Sequence, residues 1–238
     1  MNTTNRRHFT TIGVLIVIST FVMQFFLDRS LPLPVKASLE AISIDWLIGL
    51  HVWLIAFLFA VVMVFMLYAV VVFRRKEGDE GDGEHFEGHT GLEIAWTVAP
   101  IVMVLIFSVI GFQVLGDVTQ AAEDEIEVRV TGAQWNWTFD YPELNGFVST
   151  ELVLAVDQRV KFVMTSKDVN HSFWVPEFRV KQDLVADRET VVRLTPIVVD
   201  EYKLLCAELC GTLHYNMQAP VRVLDATDYA AWVAENTK

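Results

Sequence analysis

Two long uncharged stretches constrain this 238-residue chain more than anything else in it. From Trp46 to Phe73 the sequence is almost wholly apolar, interrupted by Gly49 and His51, and it contains no Asp, Glu, Lys or Arg. From Ile94 to Leu115 it is again apolar and free of formal charge. A helix needs about 20 apolar residues to cross the hydrocarbon core of a bilayer, and both stretches reach that length. They predict a membrane helical hairpin. A shorter apolar run, Ile12 to Leu27, follows Arg6 and Arg7. It fits a signal-peptide core with a small-residue site at Val35-Lys36-Ala37, or equally an additional membrane helix.

Charge supplies the orientation. Arg74, Arg75 and Lys76 follow the first long run directly, so that end faces the cytoplasm, as do Arg6 and Arg7. The second run then returns the chain to the outer face. The connection from Lys76 to His89 is rich in Gly, Asp and Glu and reads as a solvated, mobile loop. From Gly116 onward, 20 acidic side chains stand against 11 basic ones. That balance excludes a nucleic-acid partner and suits a basic protein partner.

Beyond residue 120 the hydrophobic period becomes two. Short runs at 125–131, 134–141, 151–155, 159–165, 190–195, 201–205 and 219–224 are separated by Asp, Pro, Asn and Gly, which predicts a β-sandwich or barrel. Residues 226–236 predict a closing helix capped by Asp225. The expected organisation is thus a signal-like or membrane segment at 1–37, a transmembrane hairpin at 38–116, and an extracytoplasmic all-β domain at 117–238.

Both cysteines of the chain, Cys206 and Cys210, fall within the twelve residues Cys206 to Met217, which also contain His214. A disulfide four residues apart would close a very small loop and stabilise little. Zinc accepts two Cys and two His but has no use for a thioether. Thiolates, imidazole and a weak thioether on one loop suit a copper electron-transfer site. Two thiolates can bridge two copper ions, and a second imidazole must then come from elsewhere. In the β domain the remaining histidine is His171, ahead of Phe173, Trp174, Val175 and Pro176.

The pattern Cys206-x3-Cys210-x3-His214-x2-Met217, with His171 upstream and Val175-Pro176 after it, closely resembles the CuA site of cytochrome c oxidase subunit II. The resemblance runs from about residue 40 to the C-terminus. It implies a cupredoxin-like fold and a mixed-valence copper pair, with His171, Cys206, Cys210, His214 and Met217 as ligands. It further implies that Glu208 ligates copper through its backbone carbonyl, while its side chain helps hold magnesium at the interface with subunit I. The segment from Gly132 to Tyr141 resembles the family's aromatic region, in which the position of Trp135 receives electrons from cytochrome c. Ala133 and Asn136 depart from that region's usual His and aromatic residue, which leaves the donor, a cytochrome c or a small copper protein, undetermined. The period-two reading instead places Trp135 with Trp137 and Phe139 in the core, unless the strand is bulged or ends there. Thr90 to Trp96 resembles the family's second helix, where the position of Glu93 lies near the mouth of a proton-uptake channel. Thr90-x-x-Glu93 also reads as a capping box.

The resemblance implies one-electron transfer from the donor to haem in subunit I, where oxygen reduction coupled to proton translocation takes place. The chain contains no Cys-x-x-Cys-His motif, so it is not expected to bind haem itself. The competing reading is a membrane-anchored copper-binding or assembly protein, whose ligands would be exposed rather than enclosed between strands.

Overall fold

The computed structural model describes residues 3–78, 80–83, 85 and 87–237. Three of the undescribed positions, 79, 84 and 86, fall in the segment expected to form the mobile loop. The chain divides into two compact units, residues 1–33 with 46–111, and residues 34–45 with 112–238.

The first unit is helical. Among the described residues, three helices are long and apolar enough to cross a membrane: α1 (Thr3–Ser30), α2 (Leu39–Val72) and α3 (Thr90–Thr119). The segment with two open readings, Ile12 to Leu27, lies inside α1. Helices α1 and α2 run antiparallel, because His8 Nδ1 lies 2.8 Å from Tyr68 Oη while Phe21 meets Trp53 edge-to-face at 5.4 Å. Ala56, Ala60 and Val64 form a buried stripe at four-residue spacing on α2. Small residues at that spacing let helix backbones approach closely where lipid removes the hydrophobic drive for association. No residue of α3 is buried within the chain, so most of its apolar surface faces away from the rest of it, apart from Phe107 against His51. The expected capping box is not formed. Helix α3 begins at Thr90 itself, and the carbonyl of His89 accepts the N–H groups of Leu92 and Glu93 (2.8 and 3.0 Å). Thr90 thus lies inside the first turn and not at the cap.

The second unit is a β-sandwich. One sheet has the order β3-β2-β1-β5-β8, built from β1 (Ile126–Ala133), β2 (Asn136–Tyr141), β3 (Phe147–Ser149), β5 (Val160–Ser166) and β8 (Thr190–Leu194). The other has the order β4-β10-β9-β6-β7, from β4 (Leu152–Ala155), β6 (His171–Val175), β7 (Val180–Leu184), β9 (Asp200–Cys206) and β10 (Gln218–Leu224). Alternate residues turn inward, as the period of two requires, and Trp137, Phe139, Tyr141, Phe162, Phe173 and Leu204 fill the space between the sheets. Tyr141 joins the layers, its hydroxyl accepting from Val153 N–H (2.8 Å) and donating to Val153 O (3.2 Å). Helix α4 (Ala226–Asn236) closes one end, capped by Asp225, whose carboxylate accepts from Thr227 and Asp228 N–H. Trp232 of α4 packs on Tyr141 and Phe147.

Residues 34–45, expected to be split between a leader segment and the membrane hairpin, belong to this β unit. Two carboxylates hold them there. Glu40 accepts from Arg159 Nη1 (2.7 Å) and from Thr195 N–H (2.9 Å), with its side chain 3% exposed. Asp45 accepts from Arg179 Nε (2.7 Å) and Nη2 (3.2 Å). Removing one partner of a buried pair strands the other charge, at about 3–5 kcal/mol. Arg159→Met is therefore expected to lower the stability of the full chain in detergent by that order. Arg129→Met, which breaks an exposed pair with Glu127, is expected to cost less than about 1 kcal/mol. Thermal or denaturant unfolding followed by tryptophan fluorescence compares them, and equal losses would contradict the role given to Glu40.

Candidate metal centre

Strand pairing assembles the donor set. β6 and β9 are antiparallel neighbours, with Phe173 opposite Cys206 and Trp174 opposite Leu205. His171 opens β6 and Cys206 closes β9, so this register sets the imidazole beside the thiol. The chain then leaves β9, loops through Cys210 and His214, and re-enters the sheet as β10. Ala207 N–H donates to Ser172 O (3.0 Å) and Cys206 N–H to Met217 O (3.1 Å), which pins both ends of the loop.

The sulfur atoms of Cys206 and Cys210 lie 3.7 Å apart, well beyond the ~2.05 Å of a disulfide. His171 Nδ1 is 3.9 Å from Cys206 Sγ, and the Glu208 carbonyl accepts from that sulfur at 3.2 Å. At the other side, His214 Nδ1 is 3.5 Å and Met217 Sδ 3.7 Å from Cys210 Sγ. His171, Cys206 and Cys210 present ligand atoms all within 4.8 Å of one another. His171, Cys210 and Met217 are buried, His214 is half-buried, and the Glu208 side chain is exposed. The two thiols thus lie between two imidazoles, with a thioether and a carbonyl beside them. This set fits copper, since soft sulfur and borderline nitrogen donors converge in a mostly dry pocket.

Several supporting residues have no signature in the sequence. Asp168 Oδ1 accepts from His171 Nε2–H (2.8 Å), which leaves Nδ1 as the lone-pair nitrogen facing the sulfurs. Burial raises the Asp168 pKa, but the N–H of Gln134, the His171 ring and the Val169 N–H outweigh it and hold the carboxyl below its usual range. Gly132 gives the imidazole room: a Cβ there would lie 3.0 Å from His171 Cδ2. Burial pushes the Cys210 thiol up to about 12, and the neighbouring Cys206 sulfur adds to the rise. A metal ion must therefore displace a tightly held proton, so binding releases protons.

Trp135 is not part of a strand. It sits in the turn between β1 and β2, half-buried, while Trp137 and Phe139 go to the core. Its Nε1–H donates to the carbonyl of Cys210 (3.1 Å), and Gln134 Nε2 donates to the same oxygen (2.8 Å). Gly211, at φ +114°, permits this contact, because a Cβ would meet Gln134 Nε2 at 2.9 Å and Trp135 Cζ2 at 3.3 Å. Glu93 lies in the first turn of α3, exposed and apart from the metal centre in sequence and unit.

Comparison with known proteins agrees with this chemistry. Residues 23–114 match the family described as cytochrome c oxidase subunit II, transmembrane domain, and residues 147–224 match its periplasmic domain. The cytochrome c oxidase subunit 2 of Synechocystis is 28% identical over 92% of this chain and 80% of its own length. That of Thermostichus vulcanus is 31% identical over 86% and 78%. Among solved structures, the periplasmic domain of subunit II of cytochrome oxidase from Bradyrhizobium japonicum is 26% identical, with a TM-score of 0.46, over 49% of this chain and 96% of that domain. The transmembrane match reaches back into α1, and the periplasmic match takes in His171 and the whole Cys206–Met217 loop. This chain belongs to the cytochrome c oxidase subunit II family.

Proposed function

We propose that this subunit II accepts electrons at a dinuclear copper centre held by His171, Cys206, Cys210, His214, Met217 and the Glu208 carbonyl, and relays them to haem in subunit I. The observation that carries the reading is the pair of non-bonded sulfurs flanked by two imidazole nitrogens. A copper pair held by these donors would supply a one-electron carrier whose charge is shared by two ions. The remaining work falls to the chain. Two adjacent strands and a loop pinned at both ends keep the donors in place, which limits rearrangement when charge arrives. Asp168 orients His171, and burial of Cys210 and Met217 excludes water. Enclosure of His171 and Met217 also favours electron relay over a copper-delivery protein, which would present its ligands.

Trp135 is the proposed point of electron acceptance. Its indole is partly exposed and hydrogen-bonded to the backbone of Cys210, giving a short covalent and hydrogen-bonded route to that sulfur. The acidic excess of the β domain suits a basic donor such as a cytochrome c. The Glu208 side chain offers one exposed carboxylate to a magnesium ion, which would need further oxygen ligands from subunit I. Glu93, on the cytoplasmic side by the positive-inside rule, is the candidate for the mouth of a proton channel in subunit I. The β domain then faces outward.

The full chain loaded with copper is expected to give an electron paramagnetic resonance spectrum of one unpaired electron shared by two coppers. Cys206→Ser is expected to abolish that pattern, and a one-copper spectrum from the unaltered chain would overturn the dinuclear assignment. Trp135→Phe is expected to slow electron uptake from reduced donor by about tenfold or more, equivalent to about 1.4 kcal/mol in the barrier, with copper spectra unchanged. Stopped-flow rates that match wild type would remove Trp135 from the route. Gly211→Ala, which drives a methyl group against Gln134 and Trp135, is expected to slow the same step while both thiols remain in place; normal uptake would show that the Cys210 carbonyl contact is not needed.

A further inference from the structure

The residues joining α1 to α2 include the sequence Val35-Lys36-Ala37, the small-residue pattern of a leader-peptide cleavage site. In the folded protein they form part of the β domain. Ala37 is 0% exposed and packs in the core of the sandwich. Its N–H donates to Glu177 O and its carbonyl accepts from Ile197 N–H, both at 2.9 Å. Ser38, equally buried, bridges to Pro196, donates from Oγ to Phe178 O (2.8 Å) and accepts from Ala41 N–H (3.1 Å), so it caps α2. Leu39 N–H donates to Thr195 O (2.9 Å). On the upstream side, the Arg179 guanidinium that grips Asp45 also donates to Pro34 O. Arg179 holds φ +59° to do so, a left-handed conformation uncommon for a non-glycine residue.

We infer that the chain is not cut at this site, and that α1 is retained as a third membrane span. Hydrolysis after Ala37 would remove a core residue and leave Glu177 O and Ile197 N–H without their partners. It would also create an ammonium group on Ser38, a position closed to water, where an uncompensated charge is strongly unfavourable. The backbone ladder on both sides of the bond requires the chain to be continuous through it.

Topology carries the inference independently. Residues 34–45 belong to the same compact unit as the β domain and therefore lie on its side of the membrane. Helices α2 and α3 cross and return between them. Helix α1, joined to residue 34 by three residues, must then come from the opposite side. Arg6 and Arg7 share that side with Arg74, Arg75 and Lys76, so all three spans satisfy the positive-inside rule together. Helix α1 also carries side chains made for a partner. Thr20 and Gln24 are buried, and His8 and Phe21 engage Tyr68 and Trp53 of α2. A discarded leader has no need of such contacts.

Intact mass of the chain purified within its membrane complex tests this. The expected mass includes the residues of α1 and of the 31–37 connection in addition to those from Ser38 onward. A chain beginning at Ser38, or one cut anywhere between Ser30 and Pro34, overturns the inference. An epitope tag at the N-terminus should resist protease added to the outside of intact spheroplasts and be lost on lysis; digestion from outside would overturn the topology. Neither readout depends on copper, so failure here leaves the proposed electron relay standing, and loss of the copper signal leaves α1 standing.

Discussion

The register between β6 and β9 is the constraint on which the metal centre depends. Phe173, the third residue of β6, lies opposite Cys206, the last of β9, so His171, two residues before Phe173 on the same face, meets the thiol at the sheet end. A slip of one residue would turn His171 to the other face and carry Phe173 out of the core. The core therefore enforces the site: Phe173 is fully buried against Phe162 and Trp137, so the packing that excludes a slip also fixes the imidazole. Cys210, His214 and Met217 then need only a loop of the right length between β9 and β10, since the Cys206 N–H bond to Met217 O closes that loop at its base.

The layer around the ligands has a different task from the ligands themselves. Asp168 accepts hydrogen bonds from the His171 ring N–H and from the Gln134 N–H (2.7 Å), so one carboxylate ties the histidine to the β1–β2 turn. Gln134 and Trp135 continue that tie to the Cys210 carbonyl. His171 and Cys210 are thereby connected by hydrogen bonds through residues that are not ligands. Such a closed network resists displacement of either end, which suits a centre whose geometry must change little as its charge changes.

Much of this was legible in the sequence, and the reasons are local. The donors from Cys206 to Met217 lie in one short segment, so their spacing alone carries the chemistry. The strands at 126–133, 160–166 and 218–224 alternate cleanly because one face of each is buried. Trp135 was ambiguous for a reason the fold makes plain: the alternation that places Trp137 and Phe139 inward stops at the turn, and Trp135 lies one residue outside it. Gln134, Gly132 and Gly211 carry no mark of function in the sequence because each acts through a contact with a distant part of the chain, and Asp168, three residues before His171, looks like an ordinary turn acid. Strand β7 pairs with β6, but its sequence alternates weakly, with Lys181 and Asp183 facing out and the polar Gln182 between them, so it leaves little hydrophobic pattern. The segment 34–45 was misplaced because an apolar run on either side dominates its hydropathy.

That segment also explains why ion pairs appear where apolar contacts would be the ordinary choice. It leads directly into a membrane span, and next to a bilayer an apolar contact discriminates poorly, since lipid tails satisfy the same surface. A carboxylate held by a guanidinium has no substitute in lipid and fixes direction as well as distance. Glu40 and Asp45 lie five residues apart, at the start of α2, and each takes an arginine from a different part of the β domain, Arg159 at the start of β5 and Arg179 after β6. Two such fixed points determine both the position and the rotation of the first turns of the helix, which a single pair or an apolar patch would leave free. Replacing both pairs with well-packed apolar residues could preserve stability while losing that definition. The cost of burying four charges is thus offset by fixing residues 39–45 in one orientation on the β sandwich.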